Sequence, residues 1–177
     1  MKKLFFCFTC LLLSLSIAAQ TQFAKQLLDL TNYAKDGFKP IQGEKNESES
    51  ESGGIVSNLT VYNTDYKLPG AIKSRIRENN HVIPELSSIC YAAIYLEKGD
   101  EAAAITMFDE LSERLKKELG DGFTYKIQIS GDENSDKSLE IRSNEDKRSL
   151  ITLTCIESES GISGKKDVYI TVQWLSR

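Results

Sequence analysis

One histidine, one tryptophan and three prolines among 177 residues exclude several kinds of chemistry at once. The single imidazole, His81, rules out any centre built from two histidines, and the body of the chain has no closely spaced cysteines to complete a zinc site. Surplus positive charge is missing too. With 22 basic side chains against 26 acidic ones, the chain lacks the basic face that neutralising nucleic-acid phosphates requires. No segment carries the dinucleotide fingerprint, a phosphate-binding loop or a serine-hydrolase elbow. The stretch Gly161-Ile162-Ser163-Gly164-Lys165-Lys166 is the nearest approach to a phosphate loop. Its glycines stand too close together, and Lys166 occupies the place of the magnesium-binding hydroxyl. His81 lies in a polar stretch with no partner readable from the sequence, so nucleophilic catalysis is not expected.

Long apolar runs are scarce as well, and the one present sits at the N-terminus. Lys2 and Lys3 precede an apolar stretch over residues 4–17, and Ser16, Ala18 and Ala19 supply the small residues of a cleavage site. The stretch falls short of the ~20 residues that a helical span requires. Residues 1–19 are therefore expected to be a secretory signal that is removed. That leaves one domain over 20–177, periplasmic or secreted, with no membrane insertion. Losing Lys2 and Lys3 from the 22 basic residues makes the remainder more acidic still, which disfavours anionic lipid surfaces. Cys7 and Cys10 fall mid-run without small residues before them, so lipid attachment is not expected. Cys90 and Cys155 remain, each in a strand-like run and each on an expected buried face. An oxidising compartment permits a disulfide between them, with two unpaired buried thiols as the alternative.

The rest of the chain alternates between two periods. Phe23, Leu27, Leu30 and Ala34 recur at helical spacing, and Gly37 stands where a helix would end. Phe38 and Ile41 predict a short first strand over 38–42. Residues 44–54, EKNESESESGG, contain nothing apolar and predict a mobile acidic loop. Val56, Leu59, Val61 and Tyr62 predict a strand, and Leu68-Pro69-Gly70 a turn. Residues 72–80 are basic and show no readable period. The run 86–97 is a strand with apolar side chains on both faces, Cys90, Ala92 and Ile94 on one, Ile89, Tyr91 and Tyr95 on the other. Asp100 is a ready N-cap for a helix over 100–119, with Glu101 in its first turn and Ala104, Phe108, Leu111, Leu115 and Leu119 as its stripe. Four alternating runs follow, carrying Tyr125/Ile127/Ile129, Leu139/Ile141, Ile151/Leu153/Cys155 and Val168/Ile170/Val172. Short polar connections join them, the pattern of an antiparallel meander.

This order predicts an α+β domain in which an antiparallel sheet of six or seven strands carries both helices on one face. Asp132, Asn134 and Asp136 alternate as calcium-loop ligands do. Lys137 replaces the turn glycine, however, and Ser143 the closing glutamate, so they make a weak calcium candidate and no cofactor is expected. The 26 carboxylates offer many pairs without singling one out. The Ala18-Ala19-Gln20 end of the signal, the short helix after it and the Gly99-Asp100-Glu101-Ala102 opening of the second helix resemble small secreted proteins of Bacteroidota, an uncharacterised group. The resemblance implies an exported home and no particular activity.

The functional expectation is a non-enzymatic exported domain that binds a protein or an envelope component. Its candidate contact residues are Lys73, Arg75 and Arg77 in the basic segment, with Tyr62 and Tyr66 if their strands display them outward. The alternative is a small carboxylate-dependent hydrolase acting on an envelope or extracellular substrate.

Overall fold

Period-two alternation sorts the side chains of this protein between two unlike faces of one sheet. The computed structural model describes residues 22–53, 57–130, 136–158 and 164–175; the signal, Asp132, Asn134 and residues 161–163 of the glycine-rich stretch lie outside them. A helix α1 over 22–35 comes first. It is followed by strands β1 (Glu51–Gly53), β2 (Ser57–Asn63), β3 (Lys73–His81) and β4 (Ser88–Asp100), then helix α2 (Glu101–Leu119). Strands β5 (Phe123–Ser130), β6 (Asp136–Ser143), β7 (Ser149–Glu157) and β8 (Lys165–Trp174) complete the chain's described order. Among the described residues these eight strands form one sheet in the order β1-β2-β3-β4-β8-β7-β6-β5, with every neighbouring pair antiparallel. Two four-strand meanders, each preceded by a helix, thus meet through their last strands, β4 and β8.

The register carries one apolar row across the sheet. Tyr62, Ile76, Tyr91, Val172, Ile151, Ile141 and Tyr125 are successive cross-strand partners. A parallel row brings Ser74, Ala93, Ile170, Leu153 and Leu139 into line. Both helices cover this face. Phe23, Leu27, Leu30 and Ala34 of α1 and Ala104, Phe108, Leu111 and Leu115 of α2 are buried in one cluster with these strands. Helix α2 lies against β4, β7 and β8. The Asp100 carboxylate accepts the Ala103 amide at 2.8 Å and so caps α2, satisfying a donor that the helix cannot satisfy itself. The α+β class, the antiparallel sheet and the placement of both helices on one face follow the sequence expectation.

The structure departs from or completes the sequence reading at several places, beginning with the sheet itself, which has eight strands where six or seven were expected. Residues 38–42 do not form a strand. Gly37 and Phe38 take positive φ of 64° and 60°, and a 3-10 turn follows at Lys39–Ile41, where Pro40 has no amide to donate to a ladder. The segment 72–80, without a readable period, lies in β3 from Lys73 onward. The acidic segment 44–54, expected as a mobile loop, pairs its first residues with the edge of the sheet through their backbone. Gly43 donates to the Asn63 carbonyl, Asn63 to that of Glu44 and Asn46 to that of Val61, at 2.7–2.8 Å, before the chain enters β1. Backbone pairing does here what apolar burial cannot. Finally, Cys90 and Cys155 are both free thiols. Cys155 packs into the helix-covered core, whereas Cys90, next to Tyr91, points to the other face. With β8 between their strands and the sheet between their side chains, the two sulfurs are not placed to bridge.

Candidate functional site

On the face that the helices leave uncovered, β3 contributes a line of cations. Ser74 and Ile76 turn inward and are buried, so Lys73, Arg75 and Arg77 must all turn outward. Their partners on β4 are Ile94, Ala92 and Cys90. These are small or aliphatic, so the three long side chains stand beside an apolar floor. A cleft of about 130 Å³ results, floored by Ala92, Ile94, Ile156 and Tyr169 and edged by the three cations with Glu49, Glu97 and Asp167. Alternate residues on a strand lie roughly 6.6 Å apart, which sets the spacing of the cationic line.

Glu49 reaches this line from the acidic segment. A turn closed on Asn46 aims it: the Glu49 and Ser50 amides both donate to the Asn46 carbonyl, at 3.3 and 3.0 Å. The Ser50 hydroxyl donates to the same oxygen at 2.7 Å and accepts the Val61 amide at 3.0 Å. The Glu49 carboxylate then receives both Arg75 Nε and Nη2 at 3.1 Å, a two-pronged pairing, and Lys73 Nζ at 2.9 Å. Lys73 also lies 3.7 Å from Glu97. The Arg75 hydrogen bonds, helped by Lys73 and opposed by partial burial, hold the Glu49 carboxyl down at about 2. Arg77 is exposed, and among the described residues none accepts from it.

A depressed carboxyl ties stability to acid pH. Because the folded value of Glu49 lies below its ordinary 4.5, its contribution is complete above that pH and is lost as pH falls towards about 2. A third of the side chain is exposed, so solvent screening reduces the contribution to about 1 kcal/mol. Urea unfolding of the wild type and of Glu49→Gln from pH 7 to pH 2 should show that gap at neutral pH and its closure over the acidic window. A gap that stays constant to the lowest pH would mean that the ion pairs are not its source.

The other candidates fall elsewhere. Tyr62 and Tyr66 lie on the helix side, not with the cations. Tyr62 donates to Glu78 at 3.1 Å, and Tyr66 donates to the Gln26 carbonyl of α1 at 3.1 Å. Burial, with Asp29 adding to it, pushes the Tyr66 hydroxyl up to about 12. Both hydroxyls therefore serve the fold. His81 accepts the Ile83 amide on Nδ1 at 3.0 Å within its own turn, and no carboxylate bonds it among the described residues. Burial raises the Cys90 thiol and Arg77 only partly offsets this, so a ready thiolate is absent there. Asp136 Oδ1 accepts the Glu157 amide and Lys166 Nζ, at 2.9 and 3.2 Å, so protein donors already occupy it. Among the described residues, no group of three or more histidine, cysteine or acidic side chains is placed to hold a metal ion.

No family model matches this chain, and no curated protein or solved structure matches it. The chemistry of the cleft rests on its own residues. Lys73, Arg75 and Arg77 were readable in the sequence as a basic run. Glu49, Glu97 and Asp167 were not, because each reaches the cleft through turn geometry or long-range strand pairing. What the arrangement can do is hold an anion against an apolar floor. It is less suited to proton transfer, since Glu49 is fixed in its charged form and Asp167 Oδ1 accepts the Lys98 amide at 2.7 Å.

Proposed function

We propose that this chain is an exported binding domain, without catalytic machinery of its own, that takes an anionic partner on the uncovered face of its sheet. The observation that carries the reading is the cationic line itself. Three positive side chains stand at successive outward positions of β3 beside an apolar floor, and Arg77 is left without an acceptor among the described residues. Export is supported by Lys2, Lys3 and the apolar stretch ending in Ala18 and Ala19. No helix among the described residues is long and apolar enough to cross a membrane. The protein should be captured on, and retain, components of its own cell envelope, and Arg77→Glu should abolish that retention while leaving the circular dichroism spectrum unchanged. Retention that survives the charge reversal would move the binding surface elsewhere.

A second reading keeps the cleft and changes its chemistry. Glu49, Glu97 and Asp167 edge one depression, and pairs of carboxylates in a cleft can hydrolyse glycosides. On that reading Glu97, exposed and loosely held by Lys73, is the group free to transfer a proton. Glu97→Gln should then remove any hydrolysis of envelope glycans that the purified protein shows.

A further inference from the structure

We infer that the cationic line is a binding site for an extended acidic peptide, and that Glu49 occupies it as an internal stand-in for the ligand's carboxylate. This rests on the binding reading above and gives it a ligand class. The site already holds a glutamyl carboxylate, received by Arg75 in two-pronged fashion and by Lys73. That carboxylate comes from the sequence Glu47-Ser48-Glu49-Ser50-Glu51, in which acidic residues alternate. An extended peptide of that pattern presents carboxylates at the same roughly 6.6 Å interval at which β3 presents Lys73, Arg75 and Arg77. Of the acidic segment's described carboxylates, Glu49 alone meets the line. The segment turns at Asn46, its Glu47 pairs with Lys45 at 2.8 Å instead, and none of the described residues accepts from Arg77. An incoming peptide can engage all three cations where Glu49 engages two.

Exchange needs only the Glu49 side chain to swing away from the cations, while the backbone bonds of this segment to β2 stay in place. What must be broken is the Glu49 ion pairs, which the ligand's carboxylates replace in kind. Peptide is favoured over an acidic polysaccharide because the group now seated in the site is itself a peptide glutamate, and because sugar carboxylates do not share the strand interval.

The test uses a fluorescein-labelled peptide Glu-Ser-Glu-Ser-Glu-Ser-Glu and anisotropy titrations of the purified protein at low and moderate salt. Glu49→Gln should bind the peptide at least fivefold more tightly than the wild type, because it vacates Lys73 and Arg75. Arg77→Glu, at an exposed position, should bind at least tenfold more weakly with an unchanged circular dichroism spectrum. A peptide of equal charge with paired rather than alternating glutamates should also bind more weakly. If the alternating peptide binds the wild type and Glu49→Gln alike, the stand-in is overturned. If Glu49→Gln fails to fold, the Arg77→Glu and paired-glutamate comparisons decide, and the absence of either loss overturns the peptide site. If polygalacturonate binds in an Arg77-dependent way and the peptide does not, the peptide inference falls and the anionic-partner reading survives. If neither binds, both fall.

Discussion

Tyr91→Ala is expected to lower the unfolding free energy by about 3–5 kcal/mol, a large part of the ~5–15 kcal/mol available to an ordinary domain. Tyr91 is fully buried and sits where the sheet, the end of α1 and the β2–β3 connection meet. Its ring lies edge-on to Tyr66 at 6.4 Å and tilted against Phe38 at 6.3 Å. Across the sheet it is flanked by Ile76 and Val172. Truncation leaves a cavity that these neighbours, fixed on three separate elements, cannot close. Its hydroxyl donates to the Tyr66 carbonyl at 3.1 Å and lies 2.9 Å from the hydroxyl of buried Ser74. Tyr91→Phe isolates that part, removing both bonds while keeping the ring, and should cost about 1–2 kcal/mol. Urea unfolding of the two variants separates packing from hydrogen bonding. Equal losses for both would mean that the hydroxyl, and not the ring, holds this junction together.

Tyr91 also marks where reading the sequence reached its limit. Strand β4 is apolar on both faces, so alternation alone could not say which face the helices cover, and Cys90 was expected to point inward. The structure resolves the tie by volume. The larger Tyr91 and Tyr95 fill the space between sheet and helices, while Ala92 and Ile94 floor the open side. The later strands were legible because large aliphatic residues recur at every second position, as in Val168, Ile170 and Val172. Strand β3 was not. Its inward side holds only Ser74 and Ile76 as buried residues, too few for a period to emerge from its charges. The cationic half of the site was visible as residue types, since strand formation alone brings Lys73, Arg75 and Arg77 to one side. Glu49 was hidden because its position depends on the Asn46 turn and on pairing with β2, a long-range arrangement that no local pattern encodes.

The second large loss is expected at Glu118, a carboxylate buried between the helices. Its side chain is only 4% exposed, yet it sits in the last turn of α2, where the helix dipole disfavours negative charge. Two donors explain its presence. Arg114 Nε, one turn earlier, reaches Oε1 at 2.9 Å, and the Ala24 amide of α1 reaches Oε2 at 3.1 Å. Arg114 in turn lies 3.9 Å from the centre of the Phe23 ring, so one ion pair clasps both helices. Glu118→Ala strands the guanidinium and the amide together. Because Arg114 keeps 29% exposure and can be partly rehydrated, the cost should fall below that of a wholly buried pair, at about 2–3 kcal/mol. Glu118→Gln preserves an acceptor for Ala24 and should lose about half as much. The discriminating measurement is a double-mutant cycle with Arg114→Met, which retains most of the stem that covers Phe23. A coupling above about 1 kcal/mol is expected, as for side chains that share one network. A coupling near zero would assign the loss to the Ala24 bond alone, and α1 would then be held by its apolar stripe, that amide and the Tyr66 bond to Gln26.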